Sequence, residues 1–168
     1  MPFNLLKAYP DLLEINHLNS ANRRKSLVGV FNKGFAERLP VRFNSLNVVP
    51  TPKDGKIDLE TLFSHLTTHV VDQKTKKREY ESHRSHRLHW VRFHLDDKNS
   101  DVDVFTVREK GTLRTYIYCD SQKYVVILEP KTNSKGEKYY FLITAYHLTG
   151  RNLNKISNKG RRRLPSIV

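Results

Sequence analysis

Histidine, arginine, threonine and tyrosine occur here in places where they could move protons or hold a phosphate. His83, His86, His89 and His94 recur within twelve residues, interleaved with Arg84, Arg87 and Arg92. Metal-free cleavage of RNA requires a base for the 2'-hydroxyl proton, an acid for the 5'-oxygen and cations for the charge gathering on the phosphate oxygens. These residue types meet that list. Any one of the histidines taken alone reads better as a surface or packing residue, so the chemical reading depends on several of them converging.

The partners for such convergence lie downstream. Tyr139 to Leu148, read YYFLITAYHL, has the β-branched and aromatic content of a buried central strand. Counting by two puts Tyr140, Leu142, Thr144, Tyr146 and Leu148 on one face and Tyr139, Phe141, Ile143, Ala145 and His147 on the other. Thr144, Tyr146 and His147 are the polar groups near its end, where concave sites are commonly built. Leu113 to Tyr118 places Arg114, Tyr116 and Tyr118 together. An Arg between tyrosines suits a phosphate and a stacked base, or an ordinary cation-π surface. Beyond Gly150, Arg151, Lys155, Lys159, Arg161, Arg162 and Arg163 follow with no acidic residue after Glu137. That block suits phosphate contacts through counterion release.

The elements that must position these groups can be read in part. Short connections separate four strand-like runs, 102–108, 113–118, 123–129 and 138–148, and predict an antiparallel meander. One open sheet cannot bury its own face, so the preceding helices are its cover and the class is α+β. A short helix can begin near Pro10. A second, with Asn19 or Ser20 as N-cap, carries Leu27, Val30 and Phe31 and is expected to stop at Gly34. Residues 39–52 read as an extended connector or short strand. Asp58 caps a third helix, whose stripe is Leu59, Leu62, Phe63, Leu66 and Val70. His65 and His69 are spaced i, i+4 on it, but no Glu follows His65 and no third ligand is in view, so no metal site is expected. Residues 72–87 read as a solvated basic linker. LHWVRFHL, 88–95, fits a helix ending near Trp90 or Val91 and then extended chain. The expected organisation is a mainly helical 1–71 and an α+β unit over 72–168 with a basic tail, together in one compact globule.

Thirty Lys plus Arg against seventeen Asp plus Glu give a net charge of +13, which favours a polyanionic partner, RNA first and DNA second. Aromatic residues at 10% keep the chain out of the disordered class. The single cysteine, Cys119, excludes an internal disulfide and fits a reducing cytoplasm. Neither a leader pattern nor an apolar run of membrane-spanning length is present, so no membrane partner is expected.

Four segments, RLHWVRFHL at 87–95, TLRTYIY at 112–118, KYVVILE at 123–129 and KYYFLITAYHLTG at 138–150, occur in this order before a basic tail. In this the chain resembles the phage and mobile-element branch of the barnase-colicin-RelE-like nuclease superfamily. The resemblance spans roughly residues 84–163. It implies N-terminal helices packed on a four-stranded antiparallel sheet and a metal-independent endoribonuclease, toxin-like and without a cofactor. It further implies His89 or Arg87 from the helical segment, Arg114 from the second strand and Thr144 and Tyr146 from the last as the reacting set, with His147 as an addition. No acidic residue plainly matches the Glu base of the barnase type. Arg84, Arg87, Arg92, Tyr116, His147, Arg151, Lys155, Arg161, Arg162 and Arg163 are the expected nucleic-acid contacts. The alternatives are a non-catalytic RNA- or DNA-binding module and an interaction protein that meets an acidic antitoxin or inhibitor.

Overall fold

The computed structural model describes residues 2–168. After a 3-10 turn at Pro2–Leu6, α1 runs Ser20–Phe35. Its cap is Asn19, whose side chain accepts from the Asn22 N–H, and its buried stripe is Leu27, Val30, Phe31 and Phe35. The helix does not stop at Gly34. A Cβ there would lie 3.7 Å from Arg92 Cβ, so this glycine marks a close helix crossing rather than an end. Nor does a helix start at Pro10, where the chain is irregular.

Residues 42–50 form β1 (Arg42–Phe43) and β2 (Leu46–Pro50). Asp58 caps α2 (Leu59–Thr67) by accepting from the Glu60 N–H. That helix ends before Val70 and His69, which belong to β3 (Thr68–Val70), so His65 and His69 are not one helical pair. The basic stretch is ordered too. It holds β4 (Arg78–Tyr80), which pairs with β3, and the single turn α3 (Ser82–Ser85). The whole of Leu88–Leu95 is helix α4, because Leu88, Val91 and Leu95 recur at helical spacing and Trp90 and His94 are buried beside them. β5 (Asp103–Glu109), β6 (Thr112–Cys119), β7 (Tyr124–Thr132) and β8 (Lys138–His147) follow, then α5 (Arg151–Arg161).

The class is α+β, and the meander β5–β8 is antiparallel as expected. The sheet, however, has six strands in the order β1-β2-β8-β7-β6-β5, and β2 lies parallel to β8 with Val48 opposite Tyr140 and Pro50 opposite Leu142. The four-stranded antiparallel sheet is thereby corrected to a mixed one. β8 is interior, but β2 covers only Tyr140–Leu142 of it. Beyond Leu142 one edge of β8 has no neighbouring strand among the described residues.

One face of the sheet packs on α1, α2 and α4, burying Trp90, Tyr124, Val126, Leu128, Tyr140 and Leu142. The other face, with Phe105, Tyr116, Val125 and Ile127, is covered by Leu153 and Ile156 of α5. A bulge changes the sidedness of β8. Ile127 pairs with Thr144 and Leu128 with Leu142, so Ile143 is the extra residue. Tyr140 and Leu142 therefore face α1, α2 and α4, whereas Thr144 and Tyr146 face the α5 side. The single face expected for all five residues is split at Ile143.

Candidate functional site

A cleft of about 380 Å3 opens where β8 outruns β2, lined by Glu81, His83, Arg84, Tyr146, His147, Thr149 and Asn152. Its upstream wall is α3, a turn too short to hold itself and fixed instead by side-chain bonds. Glu81 caps it with both carboxylate oxygens, accepting from the His83 N–H at 3.1 Å and the Arg84 N–H at 2.7 Å. Arg84 Nη1 donates to the carbonyls of His65 and Thr68, each at 3.0 Å, and Ser85 Oγ to that of Thr67 at 3.1 Å. These bonds bolt α3 to the C-terminal end of α2. Arg87 Nη1 reaches back to the His83 carbonyl at 2.9 Å.

The downstream wall is the free end of β8. The His83 and His147 rings face each other with centroids 5.7 Å apart and planes 19° off parallel. The Arg84 guanidinium lies 5.3 Å from the Tyr146 ring centre. Burial, then the nearby charges of Arg87 and His83, holds the His147 pKa below its ordinary value, so this imidazole is neutral at pH 7. Burial also raises the Tyr146 phenol, against the pull of Lys159 and Arg84. His147 Nδ1, Arg87 Nε and Thr144 Oγ1 are buried without a hydrogen-bond partner. Thr144, paired with Ile127, lies on the α5 face, whereas His147, paired with Tyr124, lies on the other with the Arg87 charge nearby, so the unpaired atoms that belong to the cleft's side of the sheet are those of His147 and Arg87.

A second polar group occupies the α5 side of the sheet. Arg114 and Lys131 both pair with Glu129. Lys159 contacts Glu109 at 2.6 Å, and the Tyr116 hydroxyl donates to Glu109 at 3.0 Å. Burial opposes ionisation of Glu109, but the bonds from Lys159 and Tyr116 outweigh it and lower its pKa. This group is internally satisfied, in contrast to the cleft. Tyr146 connects the two, being close enough to feel both Arg84 and Lys159.

The structure thus brings Arg84, Tyr146 and His147 into one cleft with Arg87 beside it, and places Arg114, Tyr116 and Thr144 on the same sheet face as Tyr146. Comparison with known protein families, curated proteins and solved structures finds no match to this chain.

His89 does not join that set. It lies on α4, across the sheet from Arg114, among residues of α1 and of the stretch 4–9. Its pKa is lowered to about 4, chiefly by burial. A shared phosphate for His89, Arg114 and Thr144 is therefore ruled out by the sheet between them. Arg92 is structural: it bonds Asp96 at 2.7 Å and the carbonyls of Gly34 and Arg38. Arg151, Lys155, Arg161 and Arg162 are exposed on or just after α5, and Arg163 pairs with Asp103 at 2.6 Å. The basic tail is therefore an ordered helix and strap.

The residues that sequence reasoning passed over are His83 as the partner of His147, and Glu81, Thr149 and Asn152 in the lining. Glu81 is not among the side chains that usually cap a helix, so nothing in Glu-Ser-His-Arg announced α3. Among the described residues, no three or more His, Cys, Asp and Glu side chains gather as a metal set would, and no helix is long and apolar enough to cross a membrane. Chemically, the cleft offers two imidazoles within reach of one group, with cations behind them and its one carboxylate, Glu81, spent on backbone N–H groups.

Proposed function

We propose that the chain is a cytoplasmic, metal-independent endoribonuclease of the toxin-like phage or mobile-element kind, with His147 and His83 as its base and acid. The observation that carries this reading is the facing imidazole pair at 5.7 Å in an open, basic cleft. Neutral His147 takes the proton of the 2'-hydroxyl as that oxygen attacks the adjacent phosphorus. The bond from phosphorus to the 5'-oxygen breaks, and His83 protonates the leaving oxygen, giving a 2',3'-cyclic phosphate and a free 5'-hydroxyl. Arg84 and Arg87 stabilise the charge on the non-bridging oxygens, and Tyr146 offers a hydroxyl donor beside them. The same basic cleft would suit an acidic inhibitor protein.

The test is purified protein with RNA in excess chelator. Cleavage with cyclic-phosphate ends, lost in H83A and in H147A, is the expected result. Intact RNA, or both variants cutting at the wild-type rate, overturns the reading. The exposed cations of α5 favour, as a second reading, a non-catalytic RNA- or DNA-binding module. That protein would bind in a salt-sensitive way and leave the strand whole.

A further inference from the structure

Each wall of the cleft is continuous with a segment whose exposed cations have no acidic partner. On the His83 side, α3 is joined to the β3–β4 hairpin. The Thr68 carbonyl accepts from Arg84 Nη1 at 3.0 Å and from Arg78 Nη2 at 2.9 Å, and the Glu81 N–H donates to the Thr67 carbonyl at 2.9 Å. Two strands of three residues are too few to hold their own shape, so these bonds make the hairpin one piece with the His83 wall. Its turn, residues 72–77, exposes Lys74 and Lys76. The Asp72 carboxylate accepts from the Lys74 and Thr75 N–H groups, and Glu79 pairs with Lys77 at 3.0 Å, so both ammonium groups lack an acid among the described residues. Lys76 Nζ has only the Gln73 side-chain oxygen, at 3.2 Å. On the His147 side the chain passes from β8 through Thr149 into α5, and Thr149 and Asn152 line the cleft. Arg151 and Lys155, one turn apart on the same helix face, are exposed, and α5 carries no acidic residue.

We propose that the cleft takes an RNA strand held on both flanks, the part 3' of the cut by the β3–β4 hairpin and the part 5' of it by α5. The assignment rests on the cleavage proposed above, which sets the polarity. The nucleotide whose 2'-hydroxyl is deprotonated lies on the side of His147, and the nucleotide that keeps the 5'-oxygen lies on the side of His83. His147 leads into α5 and His83 is joined to the hairpin, so each flank has its own support. The turn lies about 13 Å along β3 from Thr68, at about 3.3 Å per residue, so it meets flanking nucleotides and not the reacting ones. Cations without an acid suit this task, because a phosphate displaces their counterions with no ion pair to break.

A single ribonucleotide in an otherwise deoxy strand leaves one cleavable bond and separates the flanks. The substrates are the bare dinucleotide and the same dinucleotide extended with deoxynucleotides on its 5' side, its 3' side or both. Each extension is expected to raise kcat/KM at least about tenfold at low salt, and to steepen its log-log salt dependence by about 1.4 for two phosphates met per flank. K74E/K76E should lose the gain from the 3' extension and keep that from the 5' extension, and R151E/K155E should do the reverse. The proposal is overturned if the dinucleotide is cut but neither extension raises kcat/KM, if neither double variant distinguishes the two extensions, or if each loses the opposite gain. The first two results leave the cleavage reading standing, and the third exchanges the roles of His83 and His147. If the parent protein cuts neither these substrates nor RNA, the cleavage reading falls and the strand polarity with it.

Discussion

Two imidazole-bearing hollows in this protein differ in almost every respect except the residue type they share. The cleft at the end of β8 is polar and open, its histidines come from α3 ahead of the meander and from the meander's last strand, and Arg84 and Arg87 stand next to them. The His89 cavity is mostly apolar in its walls, and its pKa near 4 keeps that histidine neutral throughout the physiological range. The difference teaches that surroundings, more than the presence of an imidazole, decide whether it can exchange protons with a substrate. A half-buried His147 whose neutral form is favoured is a base at pH 7. A more deeply buried His89 costs stability to protonate.

The contrast is broken most directly by exchanging roles. Replacing His147 or His83 with Ala is expected to slow cleavage by about 10²–10⁴-fold, while H89A leaves the rate within about twofold. If H89A were the damaging change, the assignment of the two hollows would be reversed. Next in size is the packing between them. Leu88 of α4 is 1% exposed, and L88A should lower unfolding stability by about 2–5 kcal/mol in denaturant titration.

Acid stability sharpens the comparison further. Between pH about 6.5 and about 4 the unfolded chain protonates His89 and the folded chain does not. Its contribution is therefore complete above 6.5 and is lost as pH falls towards 4, at up to about 1.4 kcal/mol per pH unit. H89Q should flatten that slope in urea melts run across the window. For the cleft, the rising limb of kcat/KM against pH should lie below 6.5, because His147 must be neutral and its pKa is depressed. R87Q removes one of the depressing charges and should shift the limb upward, towards 6.5. The smallest effect concerns α5: R151Q and K155Q should each make the log-log salt dependence of single-stranded RNA binding shallower by about 0.7, with cleavage of a dinucleotide unchanged.

The sequence showed the meander, the Asp58 cap and the interior place of β8 because each has a local signal: turn residues, a capping side chain, an apolar run. Strand alternation also put Thr144 with Tyr146, and Arg114 with Tyr116, but that the two sets share a face of the sheet follows only from the strand register. A short strand within 39–52 was open to reading, but the partner of β2 was hidden because its parallel pairing with β8 joins Val48 to Tyr140, and nothing near either residue announces the other. The bulge at Ile143 was hidden for the same reason, since it exists only relative to β7. His83 and His89 were interchangeable in sequence, three residues either side of His86. Arg87, at φ −112° and ψ 16°, breaks the helix between them, so α3 and α4 point the two histidines to different sides of the molecule.

The order of segments around the cleft has a consequence for the protein's own synthesis. Glu81 to Arg87 leave the ribosome early, and Tyr146 and His147 only after three intervening strands, while β2 waits for β8 from even further upstream. A nascent chain halted before β8 holds one imidazole of the pair and a β2 joined only to β1, so it has no continuous sheet and no opposing base. If the cleft is a nuclease centre, the growing polypeptide is harmless to the message that encodes it, and the hazard begins only when the last strand docks.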